Sequence, residues 1–212
     1  MNSEIIKTVV MIAGAYLLGS IPFGYIIGKV NGVDVRTVGS KNIGATNVTR
    51  TVGKWAGKLC FACDFLKGAI PVLAAQYCPG GVAPWVVLVT MLAAIGGHIF
   101  PLFLGFKGGK GVSTAAGSVM ALAPLPLLVA MLLWVVTFLV SRYVSLASIA
   151  AAAILPIAAW LFSIFGIGSK MALDPLTLIF LIAIAVLAIL RHHTNIKRLL
   201  NGTENRFGKR EE

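Results

Sequence analysis

Residues 105–114 read GFKGGKGVST, four glycines and two lysines set between two of the most apolar stretches of the chain. A turn needs one glycine, and a lysine next to hydrocarbon is costly to place, so Lys107 and Lys110 call for a chemical reason. A second stretch, GSKNIGATNVTR at 39–50, repeats the mixture: Gly39 and Gly44, the cations Lys41 and Arg50, and the hydrogen-bonding side chains of Ser40, Asn42, Thr46 and Asn47. Each loop offers backbone N–H groups that can turn toward a ligand, plus fixed positive charge, and that combination suits a phosphate group. Neither is a nucleotide loop. Gly111, not Ser or Thr, follows Lys110, and G-x-x-x-x-G-K-[ST] occurs nowhere in the chain. With no acidic cluster nearby to hold magnesium, no nucleotide, metal or cofactor is expected.

A third polar set closes the last apolar run. In RHHTN (191–195), His192 and His193 follow Arg191, and Asn195 lies one turn on; a histidine there often only answers the helix dipole. RYVSLAS (142–148) adds Ser145 and Ser148, and a serine bonding back to its own helix is the ordinary reading of Ser145. His98, in GGHIFP, falls late in an apolar run and reads as a core histidine. Asp64 is the carboxylate inside an apolar run away from its ends. It precedes Lys67 by three residues in DFLKG, so the two can form a structural ion pair on one helix face, with general-base work for Asp64 second choice. Cys60 and Cys63 lie one turn apart, and with Cys78 as the third thiol sulfur alone assembles no zinc site. They read as packing residues.

The elements that must position these residues follow from composition. The 212 residues are 58% hydrophobic and 12% charged, with a mean hydropathy of +0.92. A soluble domain carries about a quarter charged residues, so the chain reads as an all-α integral membrane protein. Its formal charge of +11 does not indicate nucleic acid, because the aromatic residues sit within apolar runs and do not interleave with the basic ones. A crossing helix takes about 20 apolar residues. Ile5–Val30, Leu59–Tyr77, Pro84–Leu104, Val144–Phe165 and Leu173–Leu190 meet that length. The first run lacks a small-residue cleavage site and is kept as a span. Val112–Val140 is too long for one span and is interrupted by Pro124 and Pro126, which favour a turn.

Charge sets the topology. Sixteen of the eighteen Lys and Arg fall in or beside 29–67, 107–110, Arg142 and 191 onward, with Lys7 and Lys170 elsewhere. The positive-inside rule puts those four segments in the cytoplasm. Lys110 and Arg142 then share a side only if 112–140 is a hairpin of two short helices. The expectation is seven membrane helices in one multi-pass domain over 1–212, N-terminus out and C-terminus in, with a short basic tail from about 196. A polar, glycine-rich backbone beside hydrocarbon must be buried in protein or line a cavity.

YLLGSIPFGYIIGK, VGSKNIGATNVTR, DFLKG, GFKGGKGVSTAAG, RYVSLAS and RHHTNIKRLLNGTENRF, spread over residues 16–207, together resemble the bacterial acyl-phosphate:glycerol-3-phosphate acyltransferases, integral membrane enzymes of phospholipid synthesis. The resemblance implies transfer of a fatty acyl group from acyl phosphate to the 1-hydroxyl of sn-glycerol 3-phosphate, giving lysophosphatidic acid and phosphate. It implies a multi-pass protein of the bacterial cytoplasmic (inner) membrane, with the active site at the cytoplasmic face among membrane lipid. It assigns Ser40, Arg50, Lys110, His192 and Asn195 as catalytic, and Asn42, Lys107, Gly108, Gly109, Gly111 and Ser148 as phosphate-binding. His193 falls where that family varies. The H-x-x-x-x-D signature of other acyltransferases is absent, since Phe103, Lys197 and Arg198 stand five residues after the three histidines. The rival reading is a transporter of a phosphorylated solute, which would use the same cations and half-helix. Against it, both basic loops fall on one side and no internal duplication is evident.

Overall fold

The computed structural model describes residues 3–169, 171, 172 and 174–208; Lys170, Leu173 and the tail beyond 208 lie outside the described residues. Every regular element among them is helical. They fall into two compact units, Met1–Leu122 and Ala123–Glu212.

In the first unit α1 (Ser3–Ser20) and α2 (Phe23–Val30) interrupt the expected Ile5–Val30 run at Ile21–Pro22, where the proline ring fixes φ and removes a backbone donor. Both still belong to one 28-residue apolar stretch. A loop leads to the short α3 (Ala45–Thr51), then α4 (Lys54–Gln76) and α5 (Pro84–Ile99), with a 3₁₀ turn at Leu102–Leu104. After the glycine-rich loop comes α6 (Val112–Leu122), 11 residues long. α1 packs on α5, and α4 packs on α6. At both crossings glycine lets backbones approach, as helices do in lipid. A Cβ at Gly19 would strike the Ala94 carbonyl, and one at Gly117 the Phe65 carbonyl.

In the second unit α7 (Pro124–Ser141) packs on α8 (Val144–Ile164), and α8 on α9 (Pro175–Arg191). The short α10 (His193–Leu200) leaves α9 at a 55° bend. The segment after it folds back: Phe207 N–H donates to the Arg142 carbonyl (2.8 Å), and its ring meets Phe138 edge-on at 5.5 Å.

Among the described residues, five helical stretches are long and apolar enough to cross a membrane, or six if the bent α9–α10 pair is one span. The 112–140 segment breaks at Ala123 as the prolines require, but its two helices are unequal: α6 has 11 residues and α7 has 18. At 1.5 Å per residue α6 is about 16 Å long, roughly half the hydrocarbon thickness, whereas α7 is a full span. The expectation of two short helices is corrected on that point, because an uninterrupted apolar run after Pro126 continues to Ser141.

Candidate active site

The first loop is built around Asn47, which is 1% exposed. Its Nδ2 donates to the carbonyls of Val35 (2.8 Å) and Val38 (3.2 Å), and its Oδ1 accepts from the Ser40 N–H (2.8 Å). Those bonds use both amide donors and fix the path of 35–40, leaving Ser40 half-buried at its end. Asn42 Oδ1 accepts from the Gly44 N–H (2.8 Å), an Asx turn that opens α3. Arg50 sits in the last turn of that helix. Asp34, the one carboxylate of 31–53, pairs with Arg36 (2.7 Å) and Lys29 (3.2 Å). The Arg36 hydrogen bonds hold it well below the usual carboxylate range, so this acid is committed to Arg36 and Lys29.

The second loop differs from its expected role as a run of bare amides. Phe106 N–H donates to the Pro101 carbonyl (2.9 Å), Lys107 N–H to Leu104 (3.3 Å), Gly108 N–H to Ile99 (3.2 Å) and Gly109 N–H to His98 (3.1 Å). The Gly108 and Gly109 amides therefore bind the loop to the end of α5, and the other two close turns within 101–107. The loop's cations are Lys107, exposed, and Lys110, half-buried, and beside them lies the N-terminal turn of α6, whose first amides have no intrahelical acceptor. Glycine is required at 108, where a Cβ would strike the His98 and Ile99 carbonyls, and at 111, where φ is +81°.

Both loops rest on one apolar cluster. Val35, Ile43, Val48 and Cys60 are buried together, and Leu104, just before the glycine-rich loop, packs against them. Below lies a buried polar set on α4 and α5. Lys67 Nζ is 2.8 Å from Asp64 Oδ1 and donates to the Ile21 carbonyl (2.7 Å). His98 Nδ1 is 3.5 Å from the same Asp64 oxygen. His98 is thus buried, yet against a carboxylate and not in an apolar core. Its i-to-j partner on another helix leaves no trace in local sequence spacing.

The second unit gathers its polar residues on Glu204. Ser145 Oγ (2.8 Å) and Asn195 Nδ2 (2.6 Å) both donate to Glu204 Oε1, and Arg198 Nε (2.7 Å) donates to Oε2. Burial opposes ionisation of Glu204, but the bonds from Asn195, Arg198 and Ser145 outweigh it and lower its pKa. Ser145 therefore does not bond back to its own helix. Ser148 does: its hydroxyl donates to Val144 (2.8 Å) and accepts from Trp134 Nε1 (3.2 Å). His192 is 2% exposed, with Nδ1 2.7 Å from the Ala188 carbonyl. A carbonyl only accepts, so Nδ1 carries the proton and Nε2 the lone pair in the neutral ring. His193 is exposed and bonds the Leu190 carbonyl (2.9 Å). Glu204 escaped the sequence reading because it lies in the polar string NGTENRFGKREE, where one more acid carries no signal. Among the described residues no group of three His, Cys, Asp or Glu side chains could hold a metal.

Over residues 9–202 the sequence matches the family described as glycerol-3-phosphate acyltransferase. It is 50% identical over 202 residues to a glycerol-3-phosphate acyltransferase of Aquifex aeolicus (strain VF5), covering 95% of this chain and 100% of that one. It is 45% identical over 207 residues to the one from Geobacter sulfurreducens (strain ATCC 51573 / DSM 12127 / PCA), covering 98% and 99%. The fold is similar to the crystal structure of PlsY (YgiH), an integral membrane glycerol 3-phosphate acyltransferase, in its glycerol 3-phosphate form, with a TM-score of 0.85 and 48% identity over 95% of this chain and 96% of that one. The lysophosphatidic acid form of PlsY gives a TM-score of 0.83 and 47% identity at the same coverage. Near-complete coverage at such identity, on an all-helical apolar fold, leaves one conclusion: the chain belongs to the glycerol-3-phosphate acyltransferase family.

Proposed function

We propose that this protein transfers the acyl group of a fatty acyl phosphate to the 1-hydroxyl of sn-glycerol 3-phosphate, releasing lysophosphatidic acid and phosphate in the first acylation of phospholipid synthesis. The observation that carries the acceptor and product is the likeness to PlsY, whose two forms are described by glycerol 3-phosphate and by lysophosphatidic acid. The acyl phosphate donor is favoured by two separate glycine–cation loops, because two phosphate-bearing reactants repel and need several cations to meet.

In this reading Arg50, Lys107 and Lys110 offset the phosphate charges. Ser40, Asn42, Ser148 and Asn195 orient the reactants, and Gly108, Gly109 and Gly111 shape the loop. An acyl phosphate is a mixed anhydride with a good leaving group, so positioning and charge stabilisation supply most of what is needed. The glycerol O1 attacks the acyl carbonyl carbon directly. An ester C–O bond forms, the C–O bond to phosphate breaks, and the departing phosphate takes the hydroxyl proton. His192 is the alternative acceptor of that proton. The site lies at the cytoplasmic face of the bacterial inner membrane, where the fatty chain enters between helices and the phosphates stay at the edge.

The test is incubation of purified protein with acyl phosphate and labelled glycerol 3-phosphate. Labelled lysophosphatidate with equimolar phosphate supports the reading. Product from an acyl thioester but none from acyl phosphate overturns the donor, and solute exchange across vesicles without product overturns the enzyme. Lys110→Ala should lower kcat/KM by about 10- to 100-fold, the worth of one charged hydrogen bond.

A further inference from the structure

Three ionisable side chains of the first unit, Asp64, Lys67 and His98, are buried in helices that read as membrane spans, and the reaction just described uses none of them. Burying such groups is expensive. Asp64 and Lys67 at 2.8 Å already neutralise each other, so charge balance does not call for a histidine 3.5 Å from the same oxygen.

The opposite edge of His98 supplies the reason. A Cβ at position 109 would collide with His98 Nε2, so the glycine-rich loop lies directly against the imidazole. The His98 carbonyl accepts the Gly109 N–H at 3.1 Å, and the next carbonyl, Ile99, accepts the Gly108 N–H at 3.2 Å. The ring, 4% exposed, is thus wedged between a carboxylate fixed by Lys67 and a loop that ends in Lys110. Lys67 is itself anchored, since its Nζ donates to the Ile21 carbonyl at 2.7 Å.

We propose that His98, oriented by Asp64, is a positioning residue that sets the height of the glycine-rich loop and so places Lys107 and Lys110 on the phosphate. This rests on the phosphate-binding reading of that loop. Gly109 is then glycine because the ring occupies the space of its side chain, and the Asp64 carboxylate, 3.5 Å from Nδ1, backs the ring on its other edge.

A double-variant cycle tests it. Gly109→Ala pushes the loop off the ring, and a displacement of about 1 Å near the chemistry costs about 100-fold in kcat/KM. His98→Asn keeps a donor toward Asp64 and removes the Nε2 edge, with an expected loss of about 10-fold, since an unsupported loop places its cations less well. In the double variant the methyl fills the vacated space, so adding Gly109→Ala to His98→Asn should cost less than about 3-fold, a coupling of the size found between touching residues. The losses should appear as a raised KM for a phosphate-bearing substrate, with unfolding midpoints near wild type for His98→Asn. If the two losses multiply in the double variant while Lys110→Ala still raises KM, the positioning role falls and the phosphate reading stands. If Lys110→Ala leaves both KM values unchanged, the phosphate reading falls, and the positioning role falls with it. A His98→Asn variant with a lowered midpoint and wild-type KM values makes His98 purely structural and also overturns the proposal.

Discussion

At the scale of single residues, hydrogen bonds show which side chains hold the loops in place. Asn47 commits its amide to Val35, Val38 and Ser40, so truncation leaves the buried Val35 carbonyl without a partner, at about 1–3 kcal/mol, and frees the part-buried Val38 carbonyl and Ser40 N–H at less. Asn47→Ala should therefore destabilise the protein by about 3 kcal/mol, read as a lowered unfolding midpoint in detergent, and should lower turnover by releasing Ser40. An unchanged midpoint would mean water replaces the amide. His192 poses the opposite question. Its Nδ1 bond to Ala188 leaves a lone pair on Nε2 in the neutral ring, which is what a base requires, but a departing phosphate can also take the proton. His192→Ala distinguishes the two: a turnover loss of about 100-fold or more fits general-base work, and a near-normal kcat leaves the phosphate as acceptor.

At the scale of elements, Glu204 ties α8, α10 and the returning tail through Ser145, Asn195 and Arg198. Its pKa is lowered from an ordinary value near 4.5 despite opposing burial. A lowered folded-state pKa contributes stability above the unfolded value, and that contribution is lost as pH falls through the folded one. Glu204→Gln should therefore unfold at a lower temperature than wild type at pH 7, and the gap should close as pH falls below about 4.5. A gap that is constant with pH would remove the charge from the explanation. Elements of this kind were legible to different degrees. The break before Pro124 could be read directly, since proline chemistry is local. Pro22 carried the same signal, but the apolar run on both sides of it masked the division between α1 and α2. The start of α4 at Lys54, five residues ahead of the apolar run, was hidden by Lys54 and Lys58, whose long stems can lie along the helix while their charges reach water. The loops' residue types pointed to phosphate. That the Gly108 and Gly109 amides bind the Ile99 and His98 carbonyls depends on how the chain returns onto the end of α5, and that Asp64 meets His98 as well as Lys67 depends on a contact between α4 and α5.

At the scale of the whole molecule, charge and aromatic residues combine to orient the chain. Trp55 is exposed at the start of α4 with Lys58 Nζ 4.4 Å above its ring, and Lys54 adjoins it. A tryptophan beside cations suits the headgroup level on the positive, cytoplasmic side. Trp85, also exposed, sits at the start of α5, at an end with no lysine or arginine alongside, as suits the opposite interface. The short α6 fits between these levels only because it is shielded: Ser118 Oγ donates to the Gly68 carbonyl (3.1 Å) and Thr114 is fully buried, so its polar groups meet protein and not lipid. We propose that both basic loops of the first unit face inward, which puts the connection between α4 and α5, which carries Cys78, outward. Cys60 is buried and Cys63 lies within α4, leaving Cys78 as the thiol for a membrane-impermeant maleimide. Labelling should occur in right-side-out vesicles and disappear in Cys78→Ser. Labelling of Cys78 from inverted vesicles alone would place the glycine–lysine loops outside the cell, beyond reach of a cytoplasmic acyl phosphate, and would overturn the proposed orientation.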